Sequence, residues 1–185
     1  MLALPRGGVP VAFEVAQMMH APLDVVVARK IGAPFQPELG VGAIAEGGVT
    51  FLDRAALATL GLTEADLRPT IERENAELAR RVLHYRGDRD PVAVTDRTVI
   101  VVDDGLATGV TAHAALRSVR ARGPAWLVLA VPVGPPDAAV IIGTDADEVV
   151  VAQSPQRLAA VGQWYDDFTQ TSDATVNELL AAARA

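Results

Sequence analysis

Short runs of apolar residues alternate along this chain with segments of helical periodicity. Residues 98–102, 126–131 and 148–152 are runs of strand length, rich in valine and leucine. Such runs are typical of strands that are buried on both faces of a sheet. Strands separated by helices indicate an α/β fold with a mostly parallel central sheet flanked by helices. No linker or repeat divides the sequence, so residues 1–185 are expected to form a single domain.

The rest of the pattern completes this outline. Further strands are predicted at residues 2–4 and 23–28, a hairpin at 41–45 and 49–52, and helices at 9–19, 63–85, 110–122 and 174–183. Residues 31–40 contain Pro34, Pro37 and two glycines, which predicts a loop, and we expect a flexible segment over about 29–41.

The long helical segment at about 63–86 has two interpretations. Asp66 is placed to form a capping box with Thr63, and glutamate and arginine are mixed along the helix. The helix is predicted to be either a solvated face supported by ion pairs or, as an insertion in the domain, a contact between two subunits.

Composition and charge exclude several classes of function. The chain has 16 Lys and Arg against 23 Asp and Glu, a net charge of −7, which argues against binding to nucleic acids or anionic membranes. It has no cysteine, and therefore neither disulfides nor a thiolate metal site. It lacks both an apolar stretch of about 18 residues and a signal-peptide pattern, so we expect a cytoplasmic protein.

The most specific chemistry follows the strand at 98–102. The strand runs directly into Asp103 and Asp104, and then into the turn Gly-Leu-Ala-Thr-Gly-Val-Thr, residues 105–111. Two adjacent carboxylates can accept hydrogen bonds from vicinal hydroxyls, and free amides, small residues and hydroxyls at a helix N-terminus suit a terminal phosphate. The combination describes a site for ribose 5-phosphate. Taken separately, the two adjacent aspartates would also fit a plain turn, and the Gly-Val-Thr segment would also fit a helix cap.

The complete string resembles the motif by which type I phosphoribosyltransferases bind 5-phosphoribosyl-1-pyrophosphate (PRPP), in its form Asp-Asp-x-x-Ala-Thr-Gly-x-Thr. The resemblance covers residues 2 to about 173, with the subfamily unassigned, and implies that family's fold with a small C-terminal hood at about 153–173. It implies that Asp103 and Asp104 hold the 2′- and 3′-hydroxyls of the ribose. The residues that would enclose the 5-phosphate are Gly105, Leu106, Ala107, Thr108, Gly109 and Thr111.

The resemblance also implies Mg²⁺ as the cofactor, carried chiefly by PRPP itself rather than by a dedicated protein site. The three histidines, His20, His84 and His113, lack the spacing of metal ligands. They are expected to be surface or packing residues.

A glycine-rich loop, Pro5-Arg6-Gly7-Gly8, lies between the first strand and the first helix. Its amides and guanidinium group suit a pyrophosphate, although the same sequence could form a plain strand-to-helix turn. The resemblance implies that Arg6, Gly7 and Gly8 bind pyrophosphate, and that the peptide bond between Pro5 and Arg6 is cis.

A second basic site is predicted where the second strand ends, at Arg29 and Lys30. Lys30 is the only lysine in the chain, and the pair resembles the basic pair that begins the family's mobile catalytic loop. Arg6, Arg29 and Lys30 are therefore the catalytic candidates, since cations there would stabilise the departing pyrophosphate.

By resemblance, the chain is predicted to be a glycosyltransferase of nucleotide salvage. It would transfer phosphoribose from PRPP to a nitrogenous base or related acceptor, and it would act as a homodimer. Ala107 stands where hypoxanthine–guanine enzymes carry an aspartate, which counts against a 6-oxopurine acceptor. Trp164, Tyr165 and Asp166 resemble part of the base-binding hood, but the two aromatic residues would equally pack the hood onto the core.

Two alternatives to the enzyme remain. One is a PRPP-sensing regulator without turnover that acts through a protein partner. The other is a redox domain, suggested by the dinucleotide fingerprint at residues 40–45. That fingerprint requires a strand before it and a helix after it, and neither is predicted, so a structural role is favoured.

Overall fold

The apolar runs form a five-stranded, entirely parallel sheet with the order β2–β1–β6–β7–β8. This computed structural model describes residues 1–184. The strands of the molecule are β1 (Leu2–Ala3), β2 (Asp24–Val25), β3 (Ala28–Ala33), β4 (Gln36–Ala45), β5 (Val49–Leu52), β6 (Thr98–Val102), β7 (Trp126–Val133) and β8 (Glu148–Gln153). The predicted α/β class with a central parallel sheet is confirmed.

Helices cover both faces of this sheet. They are α1 (Gly8–Met19), α2 (Arg54–Leu60), α3 (Glu64–Arg86), α4 (Val110–Arg120), α5 (Ala138–Ile142) and α6 (Asp173–Ala182). Side chains alternate along each strand, so Leu2 and Val101 pack with α4 and α5, whereas Ala3 and Val102 pack with α1 and α6. Among residues 1–184, no helix has both the length and the apolar character required to cross a bilayer.

A second, antiparallel sheet of order β3–β4–β5 lies beside the first. The hairpin predicted at 41–45 and 49–52 is confirmed, with Ala45 opposite Val49. The prediction of a loop at 31–40, within the segment 29–41, is wrong. Most of these residues belong to β3 and β4, which pair as far as Ala33 and Gln36. Proline is tolerated here because Pro37 lies in the irregularity between the pairs Gly32–Gly40 and Ala33–Gln36, and β5 pairs with β4 only from Gly42 onward.

The strand predicted at 23–28 is divided between the two sheets. Only Asp24 and Val25 pair with β1, and from Ala28 the chain pairs with β4 instead. The divided strand carries Arg29 and Lys30 away from the central sheet and into the second one. Residues 40–45 lie within β4, so the dinucleotide fingerprint is structural.

Helix α3 begins with the predicted capping box. The amide and hydroxyl of Thr63 donate to one carboxylate oxygen of Asp66, over 2.8 and 2.6 Å. The helix packs against β3 and α6. It is therefore attached along its length to the two parts of the fold that flank the candidate site.

The last residue of α3, Arg86, forms a buried ionic network that joins the two sheets. Its side chain is 5% exposed, and its terminal nitrogens donate to Glu46 Oε2 (2.6 Å), Glu46 Oε1 (3.1 Å) and the carbonyl of Val25 (2.8 Å). Glu46 Oε1 also accepts the amide of Val27 at 2.7 Å, and Asp24 Oδ2 lies 3.6 Å from Arg86 Nε. Glu46 thus connects the β4–β5 turn to the end of β2.

Candidate active site

Two loops meet at the carboxyl end of the central sheet, where parallel sheets bind ligands. The loop after β1 contains the cis peptide bond between Pro5 and Arg6 that the resemblance predicts. It lies against the acids after β6: a Cβ on Gly7 would be 1.8 Å from Asp104 Oδ2, and one on Gly8 would be 2.7 Å from the carbonyl oxygen of Val102. The absence of side chains at Gly7 and Gly8 is what allows this contact.

Gly8→Ala tests that contact. The added Cβ would lie 2.7 Å from the Val102 oxygen and 2.9 Å from the Asp103 Cα, both backbone atoms that cannot rotate away. We expect the loop and the tip of β6 to separate, with a loss of about 1–3 kcal/mol of unfolding free energy. Thermal denaturation measures the effect, and an unchanged melting temperature would contradict the close approach.

The two adjacent carboxylates form an electrostatically strained pair. Burial, followed by the charge of Asp104, raises the pKa of Asp103 well above its usual range, and burial also raises the pKa of Asp104. Asp103 Oδ1 accepts the amide of Asp104 at 2.9 Å, and within residues 1–184 neither acid has an arginine or lysine partner. The pair therefore suits a ligand that brings hydroxyl donors or a cation.

The turn at 105–111 lies at the start of α4 and is partly exposed. Ala107 and Thr108 are exposed, Thr111 is half-buried, and Gly109, with a φ of +78°, caps the helix. Leu106 differs from its predicted role: its side chain is 2% exposed in the core and its amide donates to the carbonyl of Val133, so it offers nothing to a phosphate. Gly105 contributes close packing instead, since a Cβ there would lie 2.6 Å from Val161.

A cavity of about 820 Å³ opens beside the acid pair. Four basic side chains line it: Arg6, Arg29, Lys30 and Arg81. The other lining residues are Gly7, Pro10, Val11, Glu38, Asp104, Tyr165, Asp167, Phe168, Thr169, Gln170 and Thr171. The structure thus brings all three predicted catalytic cations to one space with Asp104.

Comparisons with known proteins show the family of this chain. Residues 1–150 match the family model of the phosphoribosyl transferase domain. The chain belongs to this family.

Proteins from several organisms are similar to this phosphoribosyl transferase domain. The chain is 49% identical over 182 residues to proteins of two Mycobacterium tuberculosis strains, CDC 1551 and H37Rv, provisionally named phosphoribosyl transferases. The match covers 98% of the chain but only 41% of those relatives. The crystal structure of TT1426 from Thermus thermophilus is 42% identical, with a TM-score of 0.78 over 98% of this chain and 86% of that one. The AQ2163 protein of Aquifex aeolicus, at 15% identity and a TM-score of 0.50 over 98% of this chain and 64% of that one, shows the same fold.

Acidic residues hold the basic side chains of this phosphoribosyl transferase domain in place. Arg29 donates through Nε and Nη2 to Glu74 Oε2 on α3, at 3.0 and 2.6 Å. Lys30 donates to the carbonyl of Glu38 at 2.9 Å, within the β3–β4 hairpin. Each cation is therefore positioned before any ligand binds.

Arg6, the cation of the cis-peptide loop, is held more loosely. One of its terminal nitrogens is 3.7 Å from Asp173 Oδ1, at the start of α6. The hydroxyl of Tyr85 on α3 donates to the same carboxylate oxygen at 2.5 Å. A ligand can therefore compete for Arg6 more easily than for Arg29.

The segment before α6 partly corrects the predicted base site. Tyr165 lines the cavity, and its hydroxyl donates to the carbonyl of Asp104 at 2.6 Å. Burial, followed by the charges of the two aspartates, raises the pKa of Tyr165 to about 12, so this donor remains protonated at neutral pH. Trp164 and Asp166 lie outside the cavity lining, whereas Phe168, which the sequence reasoning missed, lies inside it. Its ring centre is 5.1 Å from that of Tyr165.

Proposed function

We propose that this chain transfers the 5-phosphoribosyl group of PRPP to a nitrogen atom of an acceptor and releases pyrophosphate. The observation that carries the proposal is the contact between Gly7 of the cis-peptide loop and Asp104, beside a cavity lined by four cations. This contact joins a site suited to a sugar diol with a site suited to a pyrophosphate. PRPP carries both groups on neighbouring carbon atoms of its ribose.

In the proposed reaction the bond between ribose C1 and the pyrophosphate oxygen breaks, and its electron pair leaves with the pyrophosphate. The acceptor nitrogen forms the new bond to C1 and loses its proton, where it carries one. Arg6, Arg29 and Lys30 would offset the negative charge that develops on the leaving group. Since Glu74 and Glu38 already hold two of these side chains, little rearrangement is required during the reaction.

The acid pair also fits the Mg²⁺ that PRPP would bring. Carboxylate oxygens are the hard donors that Mg²⁺ takes, and Mg²⁺ usually keeps only one or two of them alongside phosphate oxygens. Asp103 and Asp104 would hold the ion in this way, and bound there it would neutralise negative charge. No group of three or more potential ligands occurs within residues 1–184, so the ion would depend on PRPP.

Tyr165 and residues 167–171 line the end of the cavity where we place the acceptor. Ala107 stands in the turn before α4 at the position where hypoxanthine–guanine enzymes carry the aspartate that helps deprotonate a 6-oxopurine, which disfavours that class of acceptor. We propose an adenine-like, pyrimidine or related nitrogenous acceptor whose ring lies near Phe168.

The direct test is to incubate the protein with PRPP, Mg²⁺ and a panel of purine, pyrimidine and non-canonical bases, and to measure pyrophosphate release. We expect release with at least one base and none without an acceptor beyond slow hydrolysis. Tight PRPP binding without release for any base would contradict the transferase, and would favour a PRPP-sensing regulator that acts through a protein partner.

A further inference from the structure

One face of α3 is directed at the candidate active site. Arg81 lines the cavity together with the three basic candidates. Glu74, seven residues earlier, holds Arg29, and Tyr85, four residues later, donates to Asp173 beside the cis-peptide loop. Spacings of seven and four residues place these side chains on the same side of a helix. The helix that the sequence assigned to a solvated face or a subunit contact is therefore part of the site.

Arg81 and its neighbour Arg80 share a partner but face different surroundings. Both donate to the carboxylate of Glu77: Arg81 through Nε at 2.8 Å, and Arg80 through Nε and Nη2 at 2.7 and 2.9 Å. The side chain of Arg81 is 17% exposed and that of Arg80 is 55% exposed. Only Arg81 is among the residues that line the cavity.

The terminal nitrogens of Arg81 remain available to a ligand. Within residues 1–184, the hydrogen bonds of Arg81 use Nε alone, which leaves the four N–H groups of Nη1 and Nη2 without protein acceptors. In Arg29, by contrast, Glu74 already occupies both Nε and Nη2. A planar guanidinium group with both terminal nitrogens free matches the paired oxygens of a phosphate group.

The location of Arg81 relative to Arg6 favours the pyrophosphate over the acceptor. The pKa of Asp173 lies below its usual range, chiefly through the hydrogen bond from Tyr85 and further through the charges of Arg6 and Arg81. Arg6 and Arg81 therefore act on the same carboxylate from two different elements. Residues 165–171, where the acceptor is proposed to lie, contribute no basic side chain.

We propose that Arg81 is a further binding residue for the pyrophosphate group of PRPP, held in place by Glu77. This role rests on the proposed function. Arg81 adds a cation to those of the cis-peptide loop and β3, and it comes from a helix that the family resemblance did not assign to the site. It would bind the leaving group in the substrate and retain contact as the group departs.

The test compares Arg81→Gln with Arg80→Gln in calorimetric titrations with Mg²⁺ and three probes: PRPP, inorganic pyrophosphate and ribose 5-phosphate. Both variants remove one positive charge beside Glu77 and keep a good helix former. We expect Arg81→Gln to weaken PRPP and pyrophosphate binding about 10- to 100-fold, the usual effect of losing a hydrogen bond to a charged group. Ribose 5-phosphate binding should not change, and Arg80→Gln should resemble the wild type with all three probes.

Each contrary result has a distinct meaning. Equal PRPP affinity in the two variants, or an equal loss of ribose 5-phosphate affinity in Arg81→Gln, would overturn the role of Arg81 alone. A wild-type protein that binds neither PRPP nor pyrophosphate would overturn the proposed function as well. Arg81→Lys, which keeps the charge but loses the paired geometry, should recover part of the affinity and so shows that the helix has not simply unfolded.

Discussion

Replacing Asp103 and Asp104 together by asparagine is expected to weaken PRPP binding at least about a hundredfold while leaving the fold intact. Each carboxylate would accept a charged hydrogen bond from one ribose hydroxyl, and such bonds contribute about 1.5–3 kcal/mol each. Their combined loss corresponds to about a 10²- to 10⁴-fold increase in the dissociation constant. Calorimetric titration with PRPP and Mg²⁺ measures the effect, and thermal denaturation monitors the fold.

A matched double variant separates this local effect from the change in net charge. Asp88→Asn with Asp90→Asn removes the same two charges from exposed positions just after α3, away from the cavity lining. It should bind PRPP like the wild type. If the Asp103 and Asp104 double variant also kept its PRPP affinity, the assignment of the ribose site would be wrong.

The stability of the Asp103 and Asp104 variant should depend on pH in a defined direction. Burial raises the pKa of both acids, so the folded state favours their protonated forms and loses stability as pH rises from the ordinary aspartate value, about 3.9, through the raised values. Asparagine cannot ionise and avoids this cost. The variant should therefore melt at a higher temperature than the wild type at pH 8, with the difference shrinking below about pH 4. If the variant melted at a lower temperature than the wild type at pH 8, the charges of Asp103 and Asp104 would not destabilise the folded state.

The motif at residues 103–111 could be predicted because its parts are neighbours in the chain. A strand, two acids and a helix-capping turn follow one another, so local pattern alone indicates their geometry. The exception is Leu106, because whether a residue in a turn faces a ligand or the core depends on the path of β7. The β3–β4 hairpin was missed for another reason: proline and glycine usually interrupt strands, and Pro37 is acceptable only because it lies in an irregularity of the pairing.

The lining of the cavity depends on contacts between residues that are distant in sequence. Arg29 meets Glu74 across 45 residues, and Tyr85 meets Asp173 across 88. Helical spacing of glutamate and arginine indicates a charged helix but not which side faces a ligand, so Arg81 could not be distinguished from Arg80. Similarly, Phe168 rather than Trp164 faces the cavity because residues 154–172 contain only one short helical turn, Val161–Trp164, and have no periodicity to interpret.

Arg86 links the segments that carry these cavity residues, and its replacement should have the largest effect on stability. Arg86→Met keeps the length and apolar packing of the side chain but removes its charge. Glu46 would then lose its partner at 2.6 Å, and the carbonyl of Val25 would lose a donor in the interior. Breaking one side of a buried ion pair typically costs about 3–5 kcal/mol of unfolding free energy, a large share of the stability of a domain this size. Urea denaturation followed by circular dichroism measures it.

The cause of that loss can be isolated with two further variants. Arg80→Met makes the same substitution on the exposed side of α3 and should shift the urea midpoint only slightly. Adding Glu46→Gln to Arg86→Met should recover part of the lost stability, because the glutamine side chain carries no uncompensated charge. Its carbonyl oxygen can still accept a hydrogen bond from the backbone N–H of Val27. If the double variant were less stable than Arg86→Met by the full cost of Glu46→Gln alone, the two side chains would not be coupled. The junction of the two sheets would then depend on packing rather than on this ion pair.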